Sequence, residues 1–192
     1  ISGRGHQDIE KLLGHLPIDI IAEHGAMLKE NREWKKQIVD NGSWKNKVLP
    51  ILNRITLSCQ KSFVEEKHFS LAWHYRNAES QSGDNHSREL IRILESIIPS
   101  HNLKILDGNK VVEIMNKDIG KGKAVKNIVE QNNYDYILSI GDDKTDEEMF
   151  EYLLPDVNAD TIKVGNGNTF AKYKLDNVSD VISLLEQLTL LS

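Results

Sequence analysis

Acidic residues gather in the segment Ser139-Ile140-Gly141-Asp142-Asp143-Lys144-Thr145-Asp146-Glu147-Glu148, directly where a buried strand should end and a helix should begin. Ligand sites lie at that edge in open α/β sheets. Mg²⁺ prefers oxygen ligands and usually takes one or two carboxylates together with water and substrate phosphate. The segment therefore predicts a magnesium site, with Asp142 as the direct ligand and Asp143 beside it. The alternative is that these acids only cap the helix, with Thr145 or Asp146 as the capping residue.

A lysine and a glycine precede a second predicted helix in Lys121-Gly122-Lys123-Ala124. Glycine lets the backbone approach a ligand closely, and a fixed ammonium group neutralises phosphate charge. Phosphoryl transfer depends mostly on positioning and charge neutralisation, so Lys121 suits that reaction, with Asp146 as a further catalytic candidate. The alternative is that Lys121 and Lys123 are solvated surface charges, as most lysines are.

A third candidate is the segment Ser2-Gly3-Arg4, which follows what resembles the end of a strand. A serine hydroxyl and the backbone amides of such a turn bind phosphate oxygens. Ser2 is the catalytic candidate here, and Gly3 and Arg4 are candidates for substrate binding. Taken alone the segment is only a turn, and its weight comes from the other two motifs.

The elements that must position these residues alternate between strand and helix. Apolar runs at Ile18–Ala22 and Tyr136–Ile140 predict buried parallel strands. In the last third we expect helices from about Gly122 to Gln131, from Thr145 and from Val178, with a strand at Thr161–Val164 between the last two. This alternation is typical of a parallel α/β core.

The middle of the chain has a different pattern. Leu71, Trp73 and Tyr75 alternate as in a half-buried strand. The turn signal Asp107-Gly108-Asn109 between two apolar runs predicts a hairpin, and with it an antiparallel sheet. Helical spacing in two segments predicts helices beside this sheet: Val48, Ile51, Leu52 and Ile55; and Leu90, Ile91, Leu94, Ile97 and Ile98. The fold class is therefore α/β, a Rossmann-like parallel-sheet core with an inserted α+β cap domain. We predict core at 1–37, cap at 38–113 and core again at 114–192.

The three motifs, in this order, match the second, third and fourth motifs of the haloacid dehalogenase superfamily. Within that superfamily the chain resembles the trehalose-6-phosphate phosphatases from Ile1 to Leu190. Four segments carry this closer resemblance: Ala22-Glu23-His24-Gly25-Ala26, Glu65-Glu66-Lys67, His74-Tyr75-Arg76 and Val112-Glu113-Ile114.

The resemblance implies a Mg²⁺-dependent phosphatase that hydrolyses trehalose 6-phosphate to trehalose and phosphate. It also implies substrate contacts from the cap and its neighbours, namely Gly3, Arg4, His24, Gly25, Glu65, Lys67, Arg76 and Glu113. Carboxylates accept hydrogen bonds from sugar hydroxyls, and Lys67 and Arg76 suit a phosphate. The alternative is that Glu65 and Lys67 are same-face neighbours on an exposed strand, with Arg76 as a surface ion-pair partner. His24 and His74 are each either ligand contacts or structural residues.

The superfamily's first motif, an Asp-x-Asp segment on the first core strand, has no match in this sequence. The resemblance implies that this motif carries the nucleophilic aspartate and the acid/base aspartate. The chain opens on Ile1-Ser2-Gly3-Arg4 without an initiator methionine, so we expect the natural protein to extend upstream and the first core strand to be missing here. As printed, the chain is expected to be an inactive truncation.

The overall composition indicates which classes of binding partner to expect. A net charge of −5 and a pI near 5.8 give no overall attraction to nucleic acid or to a membrane surface, so a small sugar phosphate is the expected partner. The single cysteine, Cys59, cannot form an intramolecular disulfide, and we expect a cytoplasmic protein. Three alternatives stay open: a phosphatase for another sugar phosphate such as sucrose 6-phosphate, a non-catalytic regulatory domain, and covalent fusion to an upstream synthase domain.

Overall fold

A computed structural model describes residues 1–190, apart from the side chain of residue 100. The chain divides into two compact units, the first from Ile1 to Ile119 and the second from Gly120 onward. The predicted borders at 37/38 and 113/114 stay predictions. Among the helices of residues 1–190, none has both the length and the apolar character needed to cross a membrane.

The first unit begins with helix α1 (His6–Leu13) and an antiparallel sheet. The strands of this sheet are β1 (Ile20–Ala22), β2 (Met27–Glu30) and β3 (Glu33–Lys36). Ile18–Ala22 was expected to form a buried parallel strand, and this prediction is wrong: Ile18 is exposed, and β1 pairs antiparallel with β2. A 3-10 turn at Glu23–Gly25 reverses the chain so that Ala22 pairs with Met27, and hydrophobic periodicity carries no information about such a turn.

The rest of the first unit is a four-stranded antiparallel sheet with two helices. The strands are β4 (Phe63–Glu66), β5 (Ser70–His74), β6 (Leu103–Gly108) and β7 (Val111–Asn116), in the order β4-β5-β7-β6. The helices are α2 (Lys45–Ser58) and α3 (Ser80–Glu95), and a 3-10 helix follows at Ile98–Ser100. The predicted hairpin and antiparallel sheet are confirmed, although the two turn residues are Asn109 and Lys110.

Periodicity located the core of this sheet correctly. Val48, Leu52 and Ile55 of α2 and Leu90 and Leu94 of α3 are buried in one cluster. Leu71, Trp73 and Tyr75 lie in the same cluster, so the helices and the sheet pack together through the residues that the sequence pattern predicts.

The second unit is a parallel α/β layer. Its elements in chain order are α4 (Lys121–Gln131), β8 (Ile137–Gly141), α5 (Lys144–Leu153), β9 (Ala159–Val164), β10 (Tyr173–Leu175) and α6 (Val178–Thr189). The strands pair in the order β10-β9-β8, all parallel. The predicted α/β class and the alternation in this part of the chain are therefore confirmed, and β8 ends directly before the acidic residues.

Candidate active site

Asp146 is the centre of the acidic segment in the second unit. Its carboxylate is buried, and Oδ2 accepts the backbone amides of Asp142 at 3.0 Å and Asp143 at 2.9 Å. Oδ1 accepts a hydrogen bond from Lys121 Nζ at 2.7 Å. A Cβ at Gly141 would overlap the Cγ of Asp146, so glycine is required for this close contact. One carboxylate thus fixes both the loop after β8 and the lysine at the start of α4.

Lys121 is 8% exposed, so the hypothesis that it is a solvated surface charge is wrong. Its ammonium group forms a buried ion pair with Asp146, because a buried charge needs a partner. Lys123, two residues later, is exposed. The structure therefore distinguishes the two lysines that the sequence pattern left equivalent.

Asp143 and Asp146 also cap α5. Asp143 is the N-cap residue, its Oδ1 accepts the amide of Lys144 at 2.7 Å, and Asp146 completes a capping box from the third helical position. The capping alternative therefore describes a real role of the segment, performed by Asp143 with Asp146. Thr145 is not the cap: it is buried, and its hydroxyl has no hydrogen-bond partner within residues 1–190.

Asp142 is the acid of the loop that remains available to a ligand. Its side chain is exposed, and its carboxylate makes no hydrogen bond to any described residue. Nowhere in residues 1–190 do three or more His, Cys, Asp or Glu side chains form a group that could hold a metal ion. Asp142 at the carboxyl edge of a parallel sheet still fits Mg²⁺, which needs only one or two protein carboxylates when water and phosphate complete its shell.

Glu113 is the centre of a second buried cluster, in the first unit. Its Oε1 accepts hydrogen bonds from Lys67 Nζ at 2.8 Å and from the Ser70 hydroxyl at 2.6 Å, and its Oε2 lies 3.2 Å from Nε2 of His24. Burial raises the pKa of Glu113, but the hydrogen bond from His24 and the charge of Lys67 outweigh it and bring the pKa to about 2. Glu113 is therefore a carboxylate ion at neutral pH.

The same cluster contacts the start of the chain. Lys67 Nζ also donates to the carbonyl of Gly3 at 3.0 Å, and the His24 ring packs so closely that a Cβ on Gly3 would lie 2.5 Å from it. The backbone amides of Glu23 and His24 donate to the carbonyls of Arg4 and Ser2, both at 3.0 Å. The structure thus brings together Gly3, His24, Lys67 and Glu113.

Strained backbone marks this junction. Glu23, His24 and Gly25 all have positive φ, at 50°, 57° and 114°. Such conformations are unfavourable for residues other than glycine and persist only where surrounding contacts enforce them. Here the side chain of Glu23 accepts from the Phe69 amide at 2.8 Å and pairs with His6 Nδ1 at 2.8 Å.

The side chains of three predicted residues do not contact the Glu113 cluster. Ser2 and Arg4 form a local turn in which the Ser2 hydroxyl accepts the Arg4 amide at 3.1 Å. Arg76 is exposed and donates to the carbonyl of Asn109 at 3.1 Å. Arg4 and Arg76 are exposed, and Ser2 is half-buried.

A polar cleft of about 640 Å³ lies beside the junction in the first unit. Glu65, Lys67, Glu23, His6 and His68 are among its lining residues. Glu65 accepts from Nε2 of His74 at 2.7 Å. Burial, and then the charge of Lys36, lowers the pKa of His68 below its usual value.

Sequence reasoning missed four residues that hold the predicted ones in place. Ser70 binds Glu113, and Glu23 holds the adjacent turn through Phe69 and His6. Lys163 binds the acidic loop and pairs with Glu147. Glu23 carried a usable signal, because an acid directly after a buried strand requires a partner. Ser70 carried none, since its partner Glu113 lies 43 positions away in the sequence.

Comparisons with known proteins show which family the chain resembles. A family model described as trehalose-phosphatase matches residues 1–179. An α,α-trehalose-phosphate synthase [UDP-forming] B of Dictyostelium discoideum is 39% identical over 99% of this chain and 25% of its own length. A bifunctional trehalose-6-phosphate synthase/phosphatase of Thermoproteus tenax is 39% identical over 98% of this chain and 26% of its own length. The chain therefore spans about a quarter of the length of these relatives.

A solved structure of the C. albicans trehalose-6-phosphate phosphatase C-terminal domain has a TM-score of 0.89 and 27% identity, covering 98% of this chain and 76% of that one. The fold is that of the haloacid dehalogenase type of phosphatase with a cap domain. Within that class, the chain belongs to the trehalose-phosphatase family.

Proposed function

We propose that this chain is the greater part of a Mg²⁺-dependent phosphatase domain that hydrolyses trehalose 6-phosphate to trehalose and phosphate. The observation that carries the proposal is the arrangement around Asp146, where one buried carboxylate holds Lys121 and the Asp142-Asp143 loop at the carboxyl edge of a parallel sheet. Family membership over residues 1–179 supports the substrate class. The two relatives named above support a synthase domain in the same polypeptide.

We assign the binding of the phosphoryl group to Lys121 and the acidic loop. Lys121 neutralises charge on the phosphoryl oxygens, and Asp146 keeps its ammonium group fixed before substrate arrives. Asp142, with Asp143 beside it, would hold Mg²⁺, which supplies further charge neutralisation when bound. Ser2, Gly3 and Arg4 are further candidates for phosphate binding on the strength of the family resemblance.

The sugar is assigned to residues of the first unit. Glu65 and Lys67 line the polar cleft, where a carboxylate and an ammonium group can bind sugar hydroxyls. Glu113 and His24 fix Lys67 and the segment at Gly3, and the turn at Gly25 places His24. Arg76 is exposed, so it can exchange the Asn109 carbonyl for a substrate oxygen.

The covalent steps require two further aspartates, which we assign to an Asp-x-Asp segment preceding Ile1. The first attacks phosphorus and forms an aspartyl phosphate, while the second gives its proton to the departing trehalose oxygen. Water then hydrolyses the aspartyl phosphate, releases phosphate and restores the carboxylate. This assignment makes turnover a property of the full-length protein.

The test is phosphate release by the full-length protein from trehalose 6-phosphate with Mg²⁺, with sucrose 6-phosphate as the competing substrate. We expect trehalose 6-phosphate to be strongly preferred, and we expect Asp142→Asn to lower kcat/KM by at least 100-fold, equivalent to about 3 kcal/mol of transition-state stabilisation. Asp160→Asn, in β9 of the same sheet, is the matched control and should leave turnover unchanged.

Each result has a separate meaning. Preference for sucrose 6-phosphate would replace the substrate and keep the chemistry. Full activity in Asp142→Asn would refute the assigned metal ligand. Binding of trehalose 6-phosphate without turnover in the full-length protein would instead favour a non-catalytic domain attached to a synthase.

A further inference from the structure

A second buried lysine lies at the same sheet edge and has no part in the mechanism above. Lys163 is 7% exposed and stands next to the last residue of β9, directly across from Gly141 of β8. Its Nζ donates to the backbone carbonyl of Asp142 at 2.7 Å. The lysine thus contacts the peptide group of the residue whose carboxylate is the proposed metal ligand.

Glu147 of α5 connects this lysine to the loop that follows β9. Its Oε1 lies 3.5 Å from Lys163 Nζ and has no hydrogen-bond partner within residues 1–190. Its Oε2 accepts the Phe170 amide at 2.9 Å and the Thr169 hydroxyl at 3.0 Å. The loop between the end of β9 and Thr169 has two glycines with positive φ, Gly165 at 81° and Gly167 at 117°.

The ion pair between Lys163 and Glu147 is long, and Oε1 of Glu147 has no hydrogen bond to any described residue, so it is expected to contribute little to the stability of the fold. Buried charges lose hydration, and their attraction offsets this loss only when the geometry is good. Lys172, an exposed lysine directly before β10, is a contrast, since its Nζ donates to the carbonyls of Asp156 and Ala159 at the opposite end of β9. Lys163 instead lies at the edge where the loops after β8 and β9 meet.

We propose that Lys163 is a positioning residue for the proposed metal ligand. It fixes the peptide group of Asp142, and its pairing with Glu147 ties that peptide to the loop at Thr169 and Phe170. This inference rests on the proposed function, because it concerns the geometry of Asp142 as a ligand. It adds the loop after β9 to the segments on which the phosphate end of the site depends.

The decisive comparison is between Lys163→Met and Lys172→Met in the full-length protein. Two quantities are measured: the Mg²⁺ concentration that gives half-maximal turnover of trehalose 6-phosphate, and the Kd of Mn²⁺ without substrate, by electron paramagnetic resonance. We expect Lys163→Met to raise both by about 10-fold or more, as is usual when a partner of a metal ligand is removed. Lys172→Met should leave both unchanged, although it also removes a lysine that donates to backbone carbonyls beside β9.

The sign of the change separates positioning from simple electrostatics. Removing a positive charge near an acidic loop would by itself tighten cation binding. A Lys163→Met protein that binds Mn²⁺ as tightly as the wild type, or more tightly, would overturn the proposal. Lys163→Arg, which keeps both charge and donor, is expected to stay within about threefold of the wild type.

Two further variants cover the remaining outcomes. If Lys163→Met does not fold, Glu147→Gln decides: loss of the partner charge should raise the half-maximal Mg²⁺ concentration about threefold, and no change would overturn the proposal. Asp142→Asn tests the proposed function itself. Mn²⁺ binding that depends on Asp142 but not on Lys163 removes only the positioning role, whereas Mn²⁺ binding that is indifferent to Asp142 removes both.

Discussion

Buried carboxylates that bind lysine determine the local geometry in each unit. Glu113 holds Lys67 and His24 in the first unit, and Asp146 holds Lys121 in the second. Breaking such a pair is costly because it leaves an uncompensated buried charge, even where the intact pair adds little net stability. Each lysine is therefore kept in one place by a partner that cannot be removed without a large penalty.

The low pKa of Glu113 predicts an acid-sensitive contribution to stability. Its pKa is lowered in the folded state from 4.5 to about 2, so the contribution is complete above pH 4.5 and is lost as the pH falls towards 2. The size at neutral pH is roughly 3 kcal/mol, since one pKa unit corresponds to about 1.4 kcal/mol. We expect urea unfolding of the wild type and Glu113→Gln to differ by about this amount at pH 7 and by less than half of it at pH 3.

His24→Gln is a second test of this ionisation, because it removes the His24 contact while Glu113 keeps Lys67 and Ser70. Its pH profile should lose a large part of the wild-type slope between pH 5 and 3, because the hydrogen bond from His24 is the largest of the contacts that lower the pKa of Glu113. A Glu113→Gln profile parallel to that of the wild type would contradict the assigned ionisation of Glu113.

Sequence motifs identified most of these residues but not their pairings. Lys121 and Asp146 were both predicted, and the sequence also showed that each lies at a helix start. Their contact spans 25 positions, and that of Lys67 with Glu113 spans 46, so both depend on how strands and helices meet. Periodicity and local motifs describe only residues that are close in the sequence, so they could not predict either contact.

At the scale of elements, the predictions that succeeded rest on periodicity and turn chemistry. The helices at Lys45–Ser58 and Val178–Thr189 and the β6-β7 hairpin follow the sequence pattern closely. The direction of β1 was wrong because it depends on the left-handed residues Glu23 and His24, which are not typical turn residues. Strand pairing is set by such turns as much as by the strands themselves.

Two helices of the second unit begin with the same capping motif, so the effects of equivalent substitutions can be compared. Asp143 with Asp146 caps α5, and Asn177 with Asp180 caps α6, each as a capping box. Asp180→Ala should cost about 1 kcal/mol, the usual contribution of a cap. Asp146→Ala should cost about 3–5 kcal/mol, because it also leaves Lys121 as a buried charge without its carboxylate partner.

Chemical denaturation of the two variants measures this difference directly. The excess of Asp146→Ala over Asp180→Ala reports the free energy of unfolding that comes from Lys121 and the amides of Asp142 and Asp143. Equal costs would show that Asp146 acts as a helix cap and nothing more. A double variant with Lys121→Met should recover part of the loss, because it removes the orphaned charge.

At the scale of the whole molecule, each unit has apolar residues buried in a core of its own. Leu52 and Trp73 are fully buried in the first unit, in a cluster that joins α2 to the four-stranded sheet. Leu153 and Met149 are buried in the second unit against Val125 and Ala159. Helix α6 contrasts with both, since it has no buried residue and Val178 and Ile182 are 68% and 52% exposed.

Separate cores predict separate responses to truncation of a buried side chain. Leu52→Ala and Leu153→Ala should each cost about 2–5 kcal/mol in their own unit, through lost burial and the cavity left behind. Because two units need not unfold as one cooperative step, we expect each variant to shift a different part of the unfolding curve.

Hydrogen exchange measured by mass spectrometry locates the loss, with faster exchange in β5 and β7 for Leu52→Ala and in β8 and β9 for Leu153→Ala. Ile182→Ser is the control and should change neither, because α6 buries nothing at that position. Uniform acceleration across both units in either variant would show instead that the two cores unfold as one.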